Sequence, residues 1–90
     1  MDCIFCKIIS GEIPKEFTDQ TDSLVVFPDI NPSADIHLLI VPRQHIGGIG
    51  DLGKGMGSLL EEIYGVINKL VKENNLTDDL YRVVINGGKS

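Results

Sequence analysis

Cys3 and Cys6 stand three residues apart at the start of the chain, and its two histidines, His37 and His45, follow far downstream. Two thiolates at that spacing on one helical turn can face a single Zn2+ at about 2.3 Å, and His45 could add a nitrogen at about 2.0–2.1 Å. These make three ligands of a tetrahedral four, and the fourth is not in this sequence. One C-x-x-C without a second pair is half a zinc signature, so two idle thiols beside a surface histidine stand as the alternative. A thioredoxin-type redox pair is a third reading, although that motif belongs at a strand-to-helix junction and this pair precedes any strand. His37 lies in an apolar run, where an imidazole either meets an anionic ligand or satisfies its ring nitrogens in the core. Asp29 follows Phe27 and Pro28, where a carboxylate can accept from a ribose hydroxyl or close the turn by an Asx contact. Neither G-x-x-x-x-G-K-[ST] nor G-x-G-x-x-G directly follows a predicted strand, so the glycine-rich stretch 47–57 is not read as a phosphate cradle.

Local patterns define the elements that must position these groups. Ile4, Phe5, Ile8 and Ile9 at near-helical spacing before Gly11 predict a short helix over residues 3–10 with a glycine stop. Glu16–Asp19 is a weak strand candidate. Leu24–Phe27, β-branched and aromatic, is a stronger one, ended by Pro28 and the Asn31-Pro32-Ser33 turn cluster, and the two pair as a hairpin across 20–23. Ile36–Val41 is apolar at nearly every position and stops at Pro42, which predicts a central strand buried on both faces. Six glycines between 47 and 57 predict a loop or frayed helix start. Met56, Leu59, Leu60, Ile63, Val66, Ile67, Leu70 and Val71 then step by three and four, the apolar stripe of a long helix ending near Asn74 and Asn75. Leu80–Asn86 is the last strand candidate, and the Asn86-Gly87-Gly88 run after it is a hairpin signal whose returning strand does not follow before Ser90. The expectation is one domain over residues 1–90 that is incomplete at its C-terminal end.

Composition narrows the function classes. Ninety residues leave room for one small core. A formal net charge of −5 opposes a phosphate backbone, so a generic nucleic-acid binder is excluded as the leading idea. With 42% hydrophobic and 23% charged residues the chain can build a core and does not carry the signature of disorder. The start Met1-Asp2-Cys3-Ile4-Phe5 has no basic n-region or apolar h-region, and no apolar run approaches the roughly 20 residues of a membrane span. The expectation is a cytoplasmic protein without a membrane partner, in which two cysteines are free thiols, a metal pair or a redox pair rather than a structural disulfide.

Taken together, Cys3-Ile4-Phe5-Cys6-Lys7-Ile8-Ile9, Gly11-Glu12-Ile13-Pro14, Phe27-Pro28-Asp29-Ile30-Asn31-Pro32, His37-Leu38-Leu39-Ile40-Val41-Pro42 and His45-Ile46 closely resemble the histidine triad (HIT) family. The resemblance extends through the long helix to Tyr81-Arg82-Val83-Val84-Ile85-Asn86-Gly87-Gly88 and is to the branch of small nucleoside-phosphoramidate hydrolases. It implies an α+β, HIT-like fold: an antiparallel sheet of about five strands, one long amphipathic helix and a short N-terminal helix. It also implies a homodimer joined by the long helix and a sheet edge. Its purine nucleotide pocket would be lined by Phe5 and Ile8, with Phe27 and Leu39 nearby. Asp29 would accept from the ribose hydroxyls, Ile30 would pack on the sugar, and Asn86 would help hold the phosphate region. His37 would be an additional histidine oriented toward the catalytic strand. Cys3, Cys6 and His45 match a zinc site of bacterial-type members, structural in role if its ligand set is closed, and no organic cofactor is implied.

One departure bears on activity. The family is named for an H-x-H-x-H motif on the strand after the glycine turn, whose central histidine attacks the α-phosphorus to form a nucleotidyl-histidine. Alternating histidines suit that chemistry because period two sets them on one face of a strand. That last strand is absent from this chain, and neither His37 nor His45 has such a partner. The triad is therefore expected after Ser90, with no catalytic residue among those shown and His37 in a supporting place. The leading expectation is a nucleotide hydrolase or transferase whose nucleophile lies outside these residues, the 90-residue chain itself being inactive. The alternatives are a non-catalytic, zinc-stabilised nucleotide-binding module and a C-x-x-C redox protein.

Overall fold

The computed structural model describes residues 3–32, 34–46, 55–78 and 80–85. The chain divides into two compact units, Met1–Ile46 and Gly47–Lys89.

The first unit opens with helix α1, Ile4–Ser10. Cys3 is its N-cap, in an extended conformation, and the Cys3 carbonyl accepts the Lys7 N–H at 3.1 Å to close the first turn. Gly11 ends the helix at φ +87°, its N–H reaching the Ile8 carbonyl at 3.2 Å. A Cβ there would meet nothing within 4 Å, so glycine is required by the left-handed backbone and not by space. The predicted helix and its stop are both present.

Strands β1 (Asp19–Gln20), β2 (Leu24–Pro28) and β3 (Leu38–Pro42) form an antiparallel sheet in that order. β1 is shorter than the predicted Glu16–Asp19 and shifted toward the turn. Thr21 explains this: its N–H donates to the Leu24 carbonyl at 2.8 Å and its Oγ1 accepts the Leu24 N–H at 3.0 Å. That tight turn sets the register, Asp19 opposite Val26 and Gln20 opposite Val25. Arg43 ties the hairpin to the end of β3, donating from Nε to the Thr21 carbonyl at 3.2 Å and from Nη2 to Gln20 Oε1 at 2.6 Å.

The buried strand is β2. Leu24, Val25, Val26 and Phe27 are no more than 2% exposed, whereas every residue of β3 is only half-buried. The expectation of a central strand at Ile36–Val41 is therefore corrected. β2 has a ladder partner on each side, while β3 pairs with β2 alone among the described residues and begins at Leu38, after an Ile36 that is 43% exposed.

The second unit holds helix α2, Gly57–Glu73. Leu59, Leu60, Ile63, Val66, Ile67, Leu70 and Val71 are among its less exposed positions and Val66 is buried, as the stripe predicts, while Glu62, outside the stripe, is half-buried as well. The helix stops where Asn74 donates backbone N–H and Nδ2 to the Leu70 carbonyl, and Asn75 turns left-handed at φ +57°. The strand expected from Leu80 is not formed across residues 80–85. No ladder reaches them, and Leu80, Tyr81, Val83, Val84 and Ile85 are 51–100% exposed. Alternation there lacks a pairing partner among the described residues, so the pattern alone makes no strand. The sheet thus has three strands among the described residues, in an α+β fold. Among the same residues, no helix is long and apolar enough to cross a membrane. Most of the glycine-rich stretch, Asn86 and the hairpin signal that follows it as far as Ser90 lie outside the described residues.

Candidate functional site

Two groups of predicted site residues come together, both within the first unit. The first is built by strand register. Side chains alternate along a strand, so the pairs Val25 with Val41 and Phe27 with Leu39 share one face of the sheet. The Asp29 N–H donates to the His37 carbonyl at 3.0 Å, which carries the ladder one pair further and sets Asp29 and His37 on that same face. Their side chains meet there, His37 Nε2 standing 3.6 Å from Asp29 Oδ2, each partly exposed (31% and 27%). The other oxygen, Oδ1, accepts the Asn31 N–H at 2.9 Å, the Asx contact of a turn. Asp29 therefore divides its oxygens between a turn and a histidine.

α1 reaches the apolar end of this face through Phe5. The Phe5 ring lies 6.5 Å from that of Phe27, and Ile8 stands one turn further along the helix on the same side. Phe17 adds a third ring 6.1 Å from Phe27, and Lys15 Nζ stands 5.5 Å from the centroid of the same ring. Sequence reading singled out neither Phe17 nor Lys15, since both fall in the weak strand candidate and its approach, where no periodicity marks a face. Ile30, by contrast, is 77% exposed in the turn beyond Asp29.

The second group is Cys3, Cys6 and His45. Two come from the first turn of α1 and the third from the segment after β3, 39 residues beyond Cys6. Their ligand atoms all lie within 4.8 Å of one another, with Cys6 Sγ and His45 Nδ1 at 3.1 Å. Around a zinc-sized ion with bonds of about 2.0–2.3 Å, tetrahedral ligand atoms stand roughly 3.5–3.8 Å apart, so this spacing fits with small side-chain rotations. The donor set, two sulfurs and an imidazole, is one that a soft or borderline divalent metal prefers. The hydrogen bond with Cys3 pushes the Cys6 thiol up from its ordinary pKa, and desolvation and the Cys3 charge act in the same direction. A metal ion held here would have to displace that proton. These three residues could hold a metal.

Two expected parts of the site are not placed. Asn86 and Ser90 both lie outside the described residues, so the phosphate contact expected at Asn86 and the triad expected after Ser90 have no counterpart in this geometry. What the first unit brings together is Phe5 with Phe27 and Asp29 with His37.

Comparison with known proteins agrees with the fold. The family model described as "Scavenger mRNA decapping enzyme C-term binding" matches residues 2–89. The chain is 33% identical over 85 residues to purine nucleoside phosphoramidase of Escherichia coli, covering 94% of this chain and 71% of that protein. It is 37% identical over 79 residues to an adenosine 5'-monophosphoramidase of Mus musculus, covering 86% of this chain and 48% of that one. The chain thus spans about half the length of the mouse relative. Among solved structures, a histidine triad protein from Clostridium difficile superposes with a TM-score of 0.86 at 39% identity, over 99% of this chain and 77% of that one. The chain belongs to the histidine triad family.

Proposed function

We propose that this chain is the nucleotide-binding part of a hydrolase or transferase that acts on purine nucleoside phosphoramidates or related nucleotidyl compounds. What supports this is the shared face of Phe5, Phe27, Leu39, His37 and Asp29, together with the phosphoramidase names of the relatives. A purine needs an apolar slot and a ribose needs an acceptor, and the face offers rings at one end and a carboxylate at the other. In this reading Phe5 and Ile8 line the base cleft with Phe27, itself buried, and Leu39 nearby, Asp29 Oδ2 accepts from the ribose hydroxyls, and Ile30 closes on the sugar. His37 stands on the phosphate side, and Asn86, outside the described residues, completes the phosphate contacts.

The reaction goes through a nucleotidyl-histidine, and its nucleophile lies beyond Ser90, because the two histidines of these 90 residues stand eight positions apart and form no alternating set. Cys3, Cys6 and His45 hold a zinc ion whose chemistry is structural, tying the start of α1 to the segment after β3. The protein works as a cytoplasmic homodimer, and residues 1–90 belong to a single domain, a reading supported by one family model running over 2–89.

Calorimetry with adenosine monophosphate, run beside turnover of an adenosine phosphoramidate, tests the proposal. Binding with no turnover by these 90 residues, and turnover on joining a strand that bears H-x-H-x-H after Ser90, is the expected pair. No binding removes the nucleotide face, and turnover by the chain as it stands removes the external nucleophile. The missing alternating histidines favour a second reading, a non-catalytic binding module, which predicts binding but no turnover from either form.

A further inference from the structure

We propose that Cys3 and Cys6 are a reversible dithiol–disulfide pair, so that oxidation of this one turn withdraws the two sulfur donors from the metal cluster. Only the metal half of this rests on the zinc reading given above. The backbone already holds the pair: Cys3 is the N-cap of α1, Cys6 lies in its first turn, and the Lys7 N–H to Cys3 carbonyl bond at 3.1 Å closes that turn. The two sulfurs lie within 4.8 Å of one another. A disulfide requires about 2.05 Å between sulfurs, and because Cys3 is extended (φ −74°, ψ 121°) its side chain can turn toward Cys6 without unwinding helical residues. Both cysteines are in the thiol form and half-buried, so part of each side chain is open to solvent, and Cys6 borders a shallow surface depression with Lys7, Ser10 and Glu12. The first thiol at a helix start and the second one turn on is the arrangement that C-x-x-C redox pairs use, although no strand leads into this helix.

The oxidant is a small-molecule disulfide, RSSR. One cysteine sulfur attacks a sulfur of RSSR, the S–S bond breaks, and RSH leaves with the proton of that thiol. The second cysteine sulfur then attacks the mixed disulfide, the Cys3–Cys6 bond forms, and the second RSH leaves with the second proton. From the metal-free dithiol two electrons and two protons pass to the oxidant; from the metal-bound dithiolate two electrons pass, the two RS− leaving groups take their protons from water, and the metal ion leaves with its charge unchanged. Thiolate is the ligand form, so the disulfide and the metal cannot occupy the turn together.

The test is intact-mass and peptide analysis of the full 90-residue chain equilibrated in oxidised and reduced glutathione. The expected result is loss of two hydrogens from the peptide that carries both cysteines, reversed by dithiothreitol. Cys3→Ser and Cys6→Ser should instead accumulate a stable glutathione adduct, because neither retains the second sulfur that expels it. Zinc-loaded protein, followed with a chelating dye, should release one ion for each disulfide closed. A wild-type chain that carries only glutathione adducts, or that links to a second chain, overturns the pair. A chain that closes the disulfide but binds no zinc when reduced keeps the pair and overturns the metal half.

Discussion

Asp29 Oδ2 lies 3.6 Å from His37 Nε2, while Asp29 Oδ1 accepts the Asn31 N–H at 2.9 Å. One carboxylate thus serves a turn with one oxygen and presents the other beside an imidazole. Both side chains are partly exposed, so the contact adds little stability.

Asp29→Ala should weaken adenosine monophosphate binding by about 1–2 kcal/mol, or roughly 5- to 30-fold, the scale of lost charge-assisted hydrogen bonds. Asp29→Asn keeps an oxygen for the Asn31 N–H and should lose affinity with less change in stability. Calorimetry at fixed salt, beside a denaturation curve for each variant, separates the two effects. Equal affinity in both variants would take Asp29 out of the site.

Zinc affinity should rise with pH. Binding needs both thiols deprotonated, and the hydrogen bond with Cys3 makes the Cys6 proton harder to remove, so each ion bound releases protons and acid opposes it. In the metal-free chain the sign is the reverse. A thiol pKa raised on folding contributes stability below its unfolded value, and that contribution is lost as pH rises through the raised value. Chelator competition at several pH values, with and without zinc in parallel melts, checks both directions.

Phe27→Ala should cost about 3–5 kcal/mol in urea denaturation, because the ring is 2% exposed and packs against Phe5 and Phe17. Tyr64→Ala, at a position 67% exposed on α2, should change stability by no more than about 0.5 kcal/mol. A large loss at Tyr64 that depends on protein concentration would show that a second copy covers it.

Gly11→Ala should destabilise the chain by about 1–2 kcal/mol, through left-handed strain alone, since no atom lies within 4 Å of the added Cβ. Gly11→Asn should lose less, as asparagine visits that region more readily. Equal, negligible losses would mean that the Gly11 conformation relaxes freely.

The sequence by itself determined what depends on neighbours in the chain. The apolar spacing before Gly11 and the stripe from Leu59 to Val71 read as helices because 3.6-residue periodicity is a local property, and both helices are present. Leu24–Phe27 reads as a strand from its β-branched and aromatic residues ended by Pro28, which are local as well. The tertiary structure decided what depends on pairing. Ile36–Val41 is a longer apolar run than Leu24–Phe27 and is broken only by His37, yet β2 is the buried strand, because it has a ladder partner on each side. Alternation from Leu80 gave no strand across 80–85, because a strand needs hydrogen-bond partners that alternation cannot supply. The site divides in the same way. Cys3 and Cys6 are visible as a pair three residues apart, but only the fold brings His45 to 3.1 Å from Cys6 across 39 residues. Asp29 and His37 were each noticed alone, and it is the register of β2 against β3, closed by a turn at Asp29, that makes them neighbours. Spacing along a chain fixes which side chains share a face, whereas contact between distant faces is set by strand register and packing, which no local pattern encodes.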